Sequence, residues 1–246
     1  MKERADKLLV DRGLVETRAK AQALILAGLV YTGTQRVDKA GQTLAADAPL
    51  TLKGQDHPWV SRGGQKLAHG LQHFHLPAAG ATAIDVGAST GGFTDVLLDA
   101  GAAKVYAVDV GHGQLAWKLR TDPRVVVLEK TNARHLTAAD IPEPVDAVVC
   151  DASFIGLETV LPAALALTGT AAWAIALIKP QFEVGRENVG KGGVVRDPEL
   201  HQAVCARIAA WFAAQPGWQV LGIVESPILG PEGNKEFLIA ARKTAG

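Results

Sequence analysis

The 246 residues predict an α/β protein: a doubly wound, mostly parallel sheet preceded by a small α+β unit. Three observations carry this. From residue 81 onward, apolar runs of strand length recur with helical stretches between most of them, the pattern of parallel strands joined by crossover helices. The first of these runs ends in a glycine-rich turn, "GASTGG", that opens a helix. Residues 1–56 keep a different rhythm, short helices then short strands, in a piece too small to bury a large core alone.

The bulk composition sets the outer bounds. Nearly half the residues (48%) are apolar, and 25 basic side chains balance 25 acidic ones, as in a soluble globular protein. The longest apolar stretch, "LPAALALTGTAAWAIALIKPQF", is broken by "TGT" and reaches a lysine, so no membrane insertion is expected. "MKERADKLL" carries acids and lacks the apolar region of a signal peptide. Cys150 and Cys205 belong to no pairing motif, which suits reduced thiols and a cytoplasmic location. His69 and His73 stand four apart in "HGLQHFH", but no cysteine or acid joins them at ligand spacing, and no metal is expected.

In the first unit, "RADKLLVDRG" reads as a helix ended by Gly13 at the C′ position. Thr17 is placed to cap a second helix, in which Ala21, Leu24 and Ile25 follow at helical spacing and Gly28 closes. "LVYTGTQRV" and "PLTLKG" read as short strands with turns between. Arg18 and Lys20 fall in the first turn of the second helix, where the macrodipole disfavours each by about 0.3–1 kcal/mol if left alone. A phosphate docked there would offset that cost, and so would two side chains bending into water. The stretch 53–59 is polar with glycine and proline. The expected domains are 1–56 and 63–246 with a joint at 57–62, and Trp59 can pack on either.

Seven strands follow. "TAIDVGA", "KVYAVDV", "RVVVLEK", "VDAVVCDA" and "AWAIALIKP" read as parallel, and "WQVLGIVES" and "KEFLIAAR" as a closing antiparallel pair. Ligands bind such sheets at the carboxyl ends of the strands. The first strand ends at Asp85, and the glycines of the turn let backbone approach a ligand closely. Asp109 ends the second strand, about twenty residues on, where it can accept from ribose hydroxyls. Both NAD and S-adenosylmethionine are served so far. The spacing separates them: a dinucleotide turn needs G-x-G-x-x-G, whereas this one reads G-x-x-x-G-G. S-adenosylmethionine has no pyrophosphate to cradle, and Asp85 suits its cationic amine or a water beside it. The expected cofactor residues are Asp85, Gly87, Ala88, Ser89, Gly91, Gly92, Phe93 and Asp109.

Residues 3–53 resemble an S4 RNA-binding domain, and the resemblance implies that Arg4, Arg18, Lys20 and Arg36 face RNA, with Arg62 joining them. With so little net charge such binding rests on a local patch and is salt-sensitive. Further along, "SRGGQKL", "VVCDASF", "ALIKPQF" and "GNKEFLI" resemble the segments that carry the Lys-Asp-Lys-Glu tetrad of FtsJ/RrmJ-type ribose 2′-O-methyltransferases, here Lys66, Asp151, Lys179 and Glu236. Together with "DVGASTGGFTD" and "GKGGVVRD" these make the whole of residues 3–243 similar to the TlyA family, often labelled haemolysin. The resemblance implies a Rossmann-like seven-stranded S-adenosylmethionine methyltransferase sheet behind the S4 domain, acting on cytidines of ribosomal RNA in ribosomal subunits. It also places Asn132 on the adenine side of the cofactor pocket.

The residue types fit that chemistry. A ribose hydroxyl is a poor nucleophile, so its proton must leave as the oxygen attacks the methyl. The family implies Lys179 as the activating group. Lysine holds its proton up to about pH 10.4 unless burial or a cationic neighbour lowers that value. Lys66 is such a neighbour, while Asp151 and Glu236 favour the ammonium, which would instead stabilise developing alkoxide. Asp151 is assigned to orienting Lys179, and Glu236 to holding Lys66 or the ribose.

Amino-group methylases carry a "[DN]PP[YF]" turn where this chain has "DASF". Attack through pyrimidine C5 wants a cysteine after proline, whereas Cys150 follows valine and reads as core. Residues 182–197 form a long glycine-rich connection. Arg186, Lys191 and Arg196 could clamp RNA there, or Glu183, Glu187 and Asp197 could cancel them in a solvated loop. The rivals are a membrane-active haemolysin, which needs an amphipathic or spanning element, an RNA-binding assembly factor on an inactive methylase fold, and a dehydrogenase.

Overall fold

A computed structural model describes residues 2–12, 14–15, 17–52 and 57–244, in two units, Met1–Pro58 and Trp59–Gly246. The first unit runs β1 (Lys2–Arg4), α1 (Ala5–Asp11), α2 (Arg18–Leu26), β2 (Val30–Thr32), β3 (Gln35–Arg36), β4 (Thr43–Ala45) and β5 (Leu50–Leu52). The apolar stripes of the two helices, Ala5, Leu8 and Leu9 with Ala21 and Ile25, meet Val30, Val37 and Leu50 in one small core. Thr17 caps α2, its hydroxyl accepting from the Lys20 amide at 3.2 Å, and Gly28 follows the helix at φ +73°. The expected C′ glycine, Gly13, and residues 53–56 of the polar stretch before the expected joint lie outside the described residues.

Three features differ from the sequence reading. "LVYTGTQRV" is a hairpin rather than one strand, because Gly33 at φ +59° turns the chain so that Tyr31 pairs with Arg36. β1 and β4, three residues each, pair with each other and are too short for alternation to reveal them. The cation at the start of α2 is offset internally. Asp6 is fully buried and accepts from Arg4 at 2.9 and 3.0 Å, and from Arg18 and Gln22 at 3.0 Å each. The Arg4 guanidinium, helped by Gln22 and Arg18, holds this carboxyl well below the usual carboxylate range despite its burial.

The second unit opens with α3 (Gly63–His73), then β6 (Thr82–Val86), α4 (Gly92–Asp99), β7 (Lys104–Val108), α5 (Trp117–Arg120) and β8 (Val125–Leu128). It continues through β9 (Val145–Cys150), α6 (Leu157–Val160), α7 (Pro162–Ala166), β10 (Thr168–Ile178), α8 (Pro180–Glu183) and α9 (Pro198–Ala213). It ends with β11 (Trp218–Glu225) and β12 (Phe237–Lys243). The sheet order is β11-β12-β10-β9-β6-β7-β8, parallel except that β12 runs against both neighbours.

Successive strand residues point to opposite faces, and both faces are covered, which is why the strands read as unbroken apolar runs. Ile84, Val148 and Ala174 face Leu161, Ile208 and Phe212 from α6–α7 and α9. Ala83, Val149 and Ile175 face Leu67, Val96 and Leu119 from α3, α4 and α5. Trp59 joins that second face, and Gly64 leaves room for it: a Cβ there would sit 2.8 Å from the indole. Cys150 lies in the core, where burial pushes its thiol up to about 12. Chain order reverses between β6 and β9, so a crevice opens at their carboxyl ends. Among the described residues no helix is long and apolar enough to cross a membrane.

Candidate active site

The glycine-rich turn leaves β6 with Gly87 at φ +80°. A Cβ on it would lie 2.8 Å from Cα of Ala152, so only glycine lets the turn pass this close to the chain leaving β9. Ser89 adopts φ +49°, and its amide donates to Asp109 Oδ2 at 2.8 Å while the Gly111 amide donates to Oδ1 at 2.6 Å. Asp109 therefore fixes the turn and still keeps acceptor capacity on each oxygen. Beside it opens a cavity of about 690 Å³ lined by Gly87, Ser89, Asp109, Gln114, Asn132 and Val110. Asn132 caps a short turn, its Oδ1 accepting from the Arg134 amide at 3.1 Å. The cavity has the size of a small-molecule cofactor site. A close-approach glycine on one side and the carboxylate of the next strand on the other fit the ribose of an adenosyl cofactor.

A smaller cavity of about 230 Å³ adjoins it, sharing Gly87, Ser89, Asp151 and Ser153 as lining. Ala88, Gly92 and Phe93 also line this smaller space. Gly91, at φ +97°, starts α4, and with Asp85 lines neither cavity. Asp85, expected beside a ligand amine, lies away from the lining of both cavities. Its neighbours in register are Ala107 and Val149, so it points into the apolar face under α4. It is fully buried there, Thr94 donates to Oδ2 at 2.6 Å, and Oδ1 accepts no hydrogen bond among the described residues. Burial pushes its carboxyl up to about 7 against the pull of the Thr94 bond.

The tetrad assembles in two pairs at the same edge. Lys66, on α3, donates from Nζ to Glu236 Oε2 at 2.5 Å, and both side chains are almost wholly buried. Glu236 sits there because β12 runs antiparallel, pairing Phe237 with Ile178. Its Oε1 accepts nothing among the described residues, and the chain at Gly230 packs on it so closely that a Cβ would lie 2.2 Å away. Lys179, just past β10, lies 2.7 Å from Asp151 Oδ1 and donates to the Asp151 carbonyl at 3.0 Å and to Ser153 Oγ at 2.8 Å. Lys66, Asp151 and Lys179 line the smaller cavity, and Glu236 reaches it through Lys66.

The expected RNA-facing cations are placed less uniformly. Arg4 and Arg18 are half-exposed on Asp6, Arg36 pairs with Asp38 at 2.7 Å, and Lys20 is exposed. Arg62 donates to the Leu229 carbonyl at 2.6 Å and lines the smaller cavity. In the 182–197 connection Arg186, Lys191 and Arg196 are exposed, but two of its acids hold the fold together rather than cancel them. Glu183 is buried against the Leu157 amide and Arg207, and Asp197 caps α9. His69 and His73 lie with ring centroids 5.8 Å apart, and among the described residues no third potential ligand gathers near them. Sequence reasoning passed over Ser153, Gln114 and Thr94. Ser153, two residues past Asp151 in the same turn, was the one with a visible signal.

The S4 domain family matches residues 3–48, and the FtsJ-like methyltransferase family matches residues 59–243. The 16S/23S rRNA (cytidine-2′-O)-methyltransferase TlyA of Mycobacterium tuberculosis is 49% identical over 240 residues, covering 97% of this chain and 89% of that one. Hemolysin A of Brachyspira hyodysenteriae is 37% identical over 236 residues, covering 96% and 98%. A solved structure of a hemolysin-named protein from Streptococcus thermophilus is 44% identical with a TM-score of 0.78, covering all of this chain and 90% of that one. An S4 domain, a methyltransferase sheet and relatives matched along nearly their full length lead to one conclusion: the chain belongs to the TlyA family of FtsJ-like methyltransferases.

Proposed function

We propose that this enzyme transfers the methyl group of S-adenosylmethionine to the ribose 2′-hydroxyl of cytidine in ribosomal RNA, in the cytoplasm. The observation that carries the reading is the shared wall of the two cavities, which brings Lys66, Asp151 and Lys179 beside the space of a nucleoside cofactor. Gly87, Ser89, Asp109 and Asn132 would hold the cofactor, which when bound supplies an electrophilic methyl group on a sulfonium. Everything else falls to the chain's own side chains. Asp151 fixes Nζ of Lys179 from two directions, side chain and carbonyl. That holds the lysine where a hydroxyl entering the smaller cavity meets it. There Lys179 takes the hydroxyl proton, or as an ammonium steadies the charge growing on oxygen. Glu236, dry and bonded to Lys66, holds that second cation at the cavity wall. Arg4, Arg18, Lys20 and Arg36, with Arg62 at the cavity, contact RNA backbone; Asp6 gives the first two a fixed direction without removing them from solvent.

The test is mass mapping of ribose methylation on ribosomal RNA incubated with the wild-type protein and with Lys179→Ala. Methylation at cytidine by the first alone is expected. Equal modification by both removes Lys179 from the reaction, and none by either returns the reading to an inactive RNA-binding factor.

A further inference from the structure

The Lys179 ammonium donates to two acceptors, the Asp151 carbonyl at 3.0 Å and Ser153 Oγ at 2.8 Å, and forms an ion pair at 2.7 Å with Asp151 Oδ1, an oxygen that takes no hydrogen bond among the described residues. The three partners are not equivalent. A carbonyl oxygen and an ionised carboxylate can only accept, whereas a serine hydroxyl both accepts and donates. When Nζ gives up a proton it gains a lone pair, and a buried lone pair needs a donor. Of the three partners, only Ser153 can reverse and supply one. Exposure singles out the same residue. The Lys179 side chain is 7% exposed and that of Asp151 23%, while Ser153 is exposed and lines both cavities.

We propose that Ser153 is the proton port of Lys179. It is a positioning residue whose hydroxyl takes a proton from the ammonium, releases its own outward, and is left donating to the lone pair of the amine. This rests on the ribose-methylation reading, in which each turnover brings one hydroxyl proton that must leave the site. In the outward step an Nζ–H bond breaks and its proton goes to Oγ. The proton already on Oγ passes to water and then to buffer, leaving a neutral amine and an intact hydroxyl. When substrate arrives, its own O–H replaces that of Ser153 at the lone pair.

Two variants of the full chain test this, Ser153→Ala, which has no hydroxyl, and Ser153→Thr, which keeps one. The first readout needs neither cofactor nor RNA: exchange of the Lys179 Nζ protons with water, followed by NMR on ¹⁵N-lysine-labelled protein. Exchange should slow about tenfold in the alanine variant and recover with threonine. The second is the pH profile of methylation. In the alanine variant kcat should fall about tenfold near neutral pH with KM for RNA and methyl donor unchanged, and the deficit should shrink towards about pH 9, where hydroxide takes the proton directly. Unchanged or faster exchange in the alanine variant overturns the proposal, as does a threonine variant as impaired as alanine. A wild-type protein that methylates no RNA defeats the reaction reading alone, because the exchange measurement still decides whether Ser153 serves Lys179.

Discussion

Replacing Asp85 by asparagine should change the stability of this protein in a strongly pH-dependent way. The side chain is fully buried under α4 with one oxygen bonded to Thr94 and the other accepting nothing among the described residues, and burial pushes its carboxyl up to about 7 from the ordinary 3.8. A carboxyl raised on folding binds more protons in the native than in the unfolded state between those two values. Stability is therefore greatest below about pH 4 and falls by about 1.4 kcal/mol per pH unit up to about 7, reaching a total cost of about 4 kcal/mol. An asparagine at this position carries no such titration and can still accept from Thr94, though its amide nitrogen faces the unpartnered side at a fixed cost of about 1–3 kcal/mol. That fixed cost cancels when two pH values are compared. Between about pH 5 and about pH 8 the balance should move about 3 kcal/mol in favour of Asp85→Asn. Urea unfolding of both proteins at the two pH values, followed by tryptophan fluorescence, measures it. A difference independent of pH refutes the burial of a titrating carboxyl at this position.

Three further outcomes follow from the same geometry. Gly87→Ala places a Cβ 2.8 Å from Ala152 Cα at φ +80°, so strain and overlap together should cost about 2–5 kcal/mol; calorimetry should show S-adenosylmethionine affinity down more than about tenfold. Lys66→Ala leaves the buried Glu236 carboxylate alone and should cost about 3–5 kcal/mol, of which Lys66→Ala with Glu236→Gln recovers at least part; strictly additive costs in the double-mutant cycle would exclude a coupled pair. Asp6→Ala removes the common acceptor of Arg4, Arg18 and Gln22 and should destabilise the first unit by about 2–4 kcal/mol at neutral pH, read as lost amide-exchange protection. Because Arg4 and its neighbours lower the Asp6 carboxyl, the wild-type advantage is full above the ordinary carboxylate range and shrinks as pH falls through the lowered value.

The sheet was legible because its strands are buried on both faces and so appear as continuous apolar runs, and because "GASTGG" marks where the first one turns. The antiparallel direction of β12 could be read from its short connection to β11, and that direction is what carries Glu236 to the end of β10. What stayed hidden has specific causes. β1 and β4 hold three residues each, below the length at which alternation shows. Asp85 was read as ligand-facing because it precedes the turn; a strand's period of two places it on the face covered by α3, α4 and α5, and position in sequence does not say which face opens on a cavity. Arg18 looked uncompensated because its partner, Asp6, is twelve residues away on another helix. The tetrad itself came from family likeness, since two lysines and two acids scattered between Lys66 and Glu236 have no periodicity to betray them.

The two lysine–carboxylate pairs differ in their surroundings. Lys66 and Glu236 share a 2.5 Å bond in dry surroundings, and the second oxygen of Glu236 has no other donor to turn to among the described residues. Neutralising either partner alone would strand the other's charge in the interior, so this pair behaves as a fixed element of the cavity wall. Lys179 has a carboxylate that is partly open to solvent and, beside it, a hydroxyl able to reverse its hydrogen bond. A donor is therefore at hand for the lone pair that loss of a proton creates on Nζ. Strand ends set both pairs, one through the antiparallel entry of β12 and the other through the turn after β9.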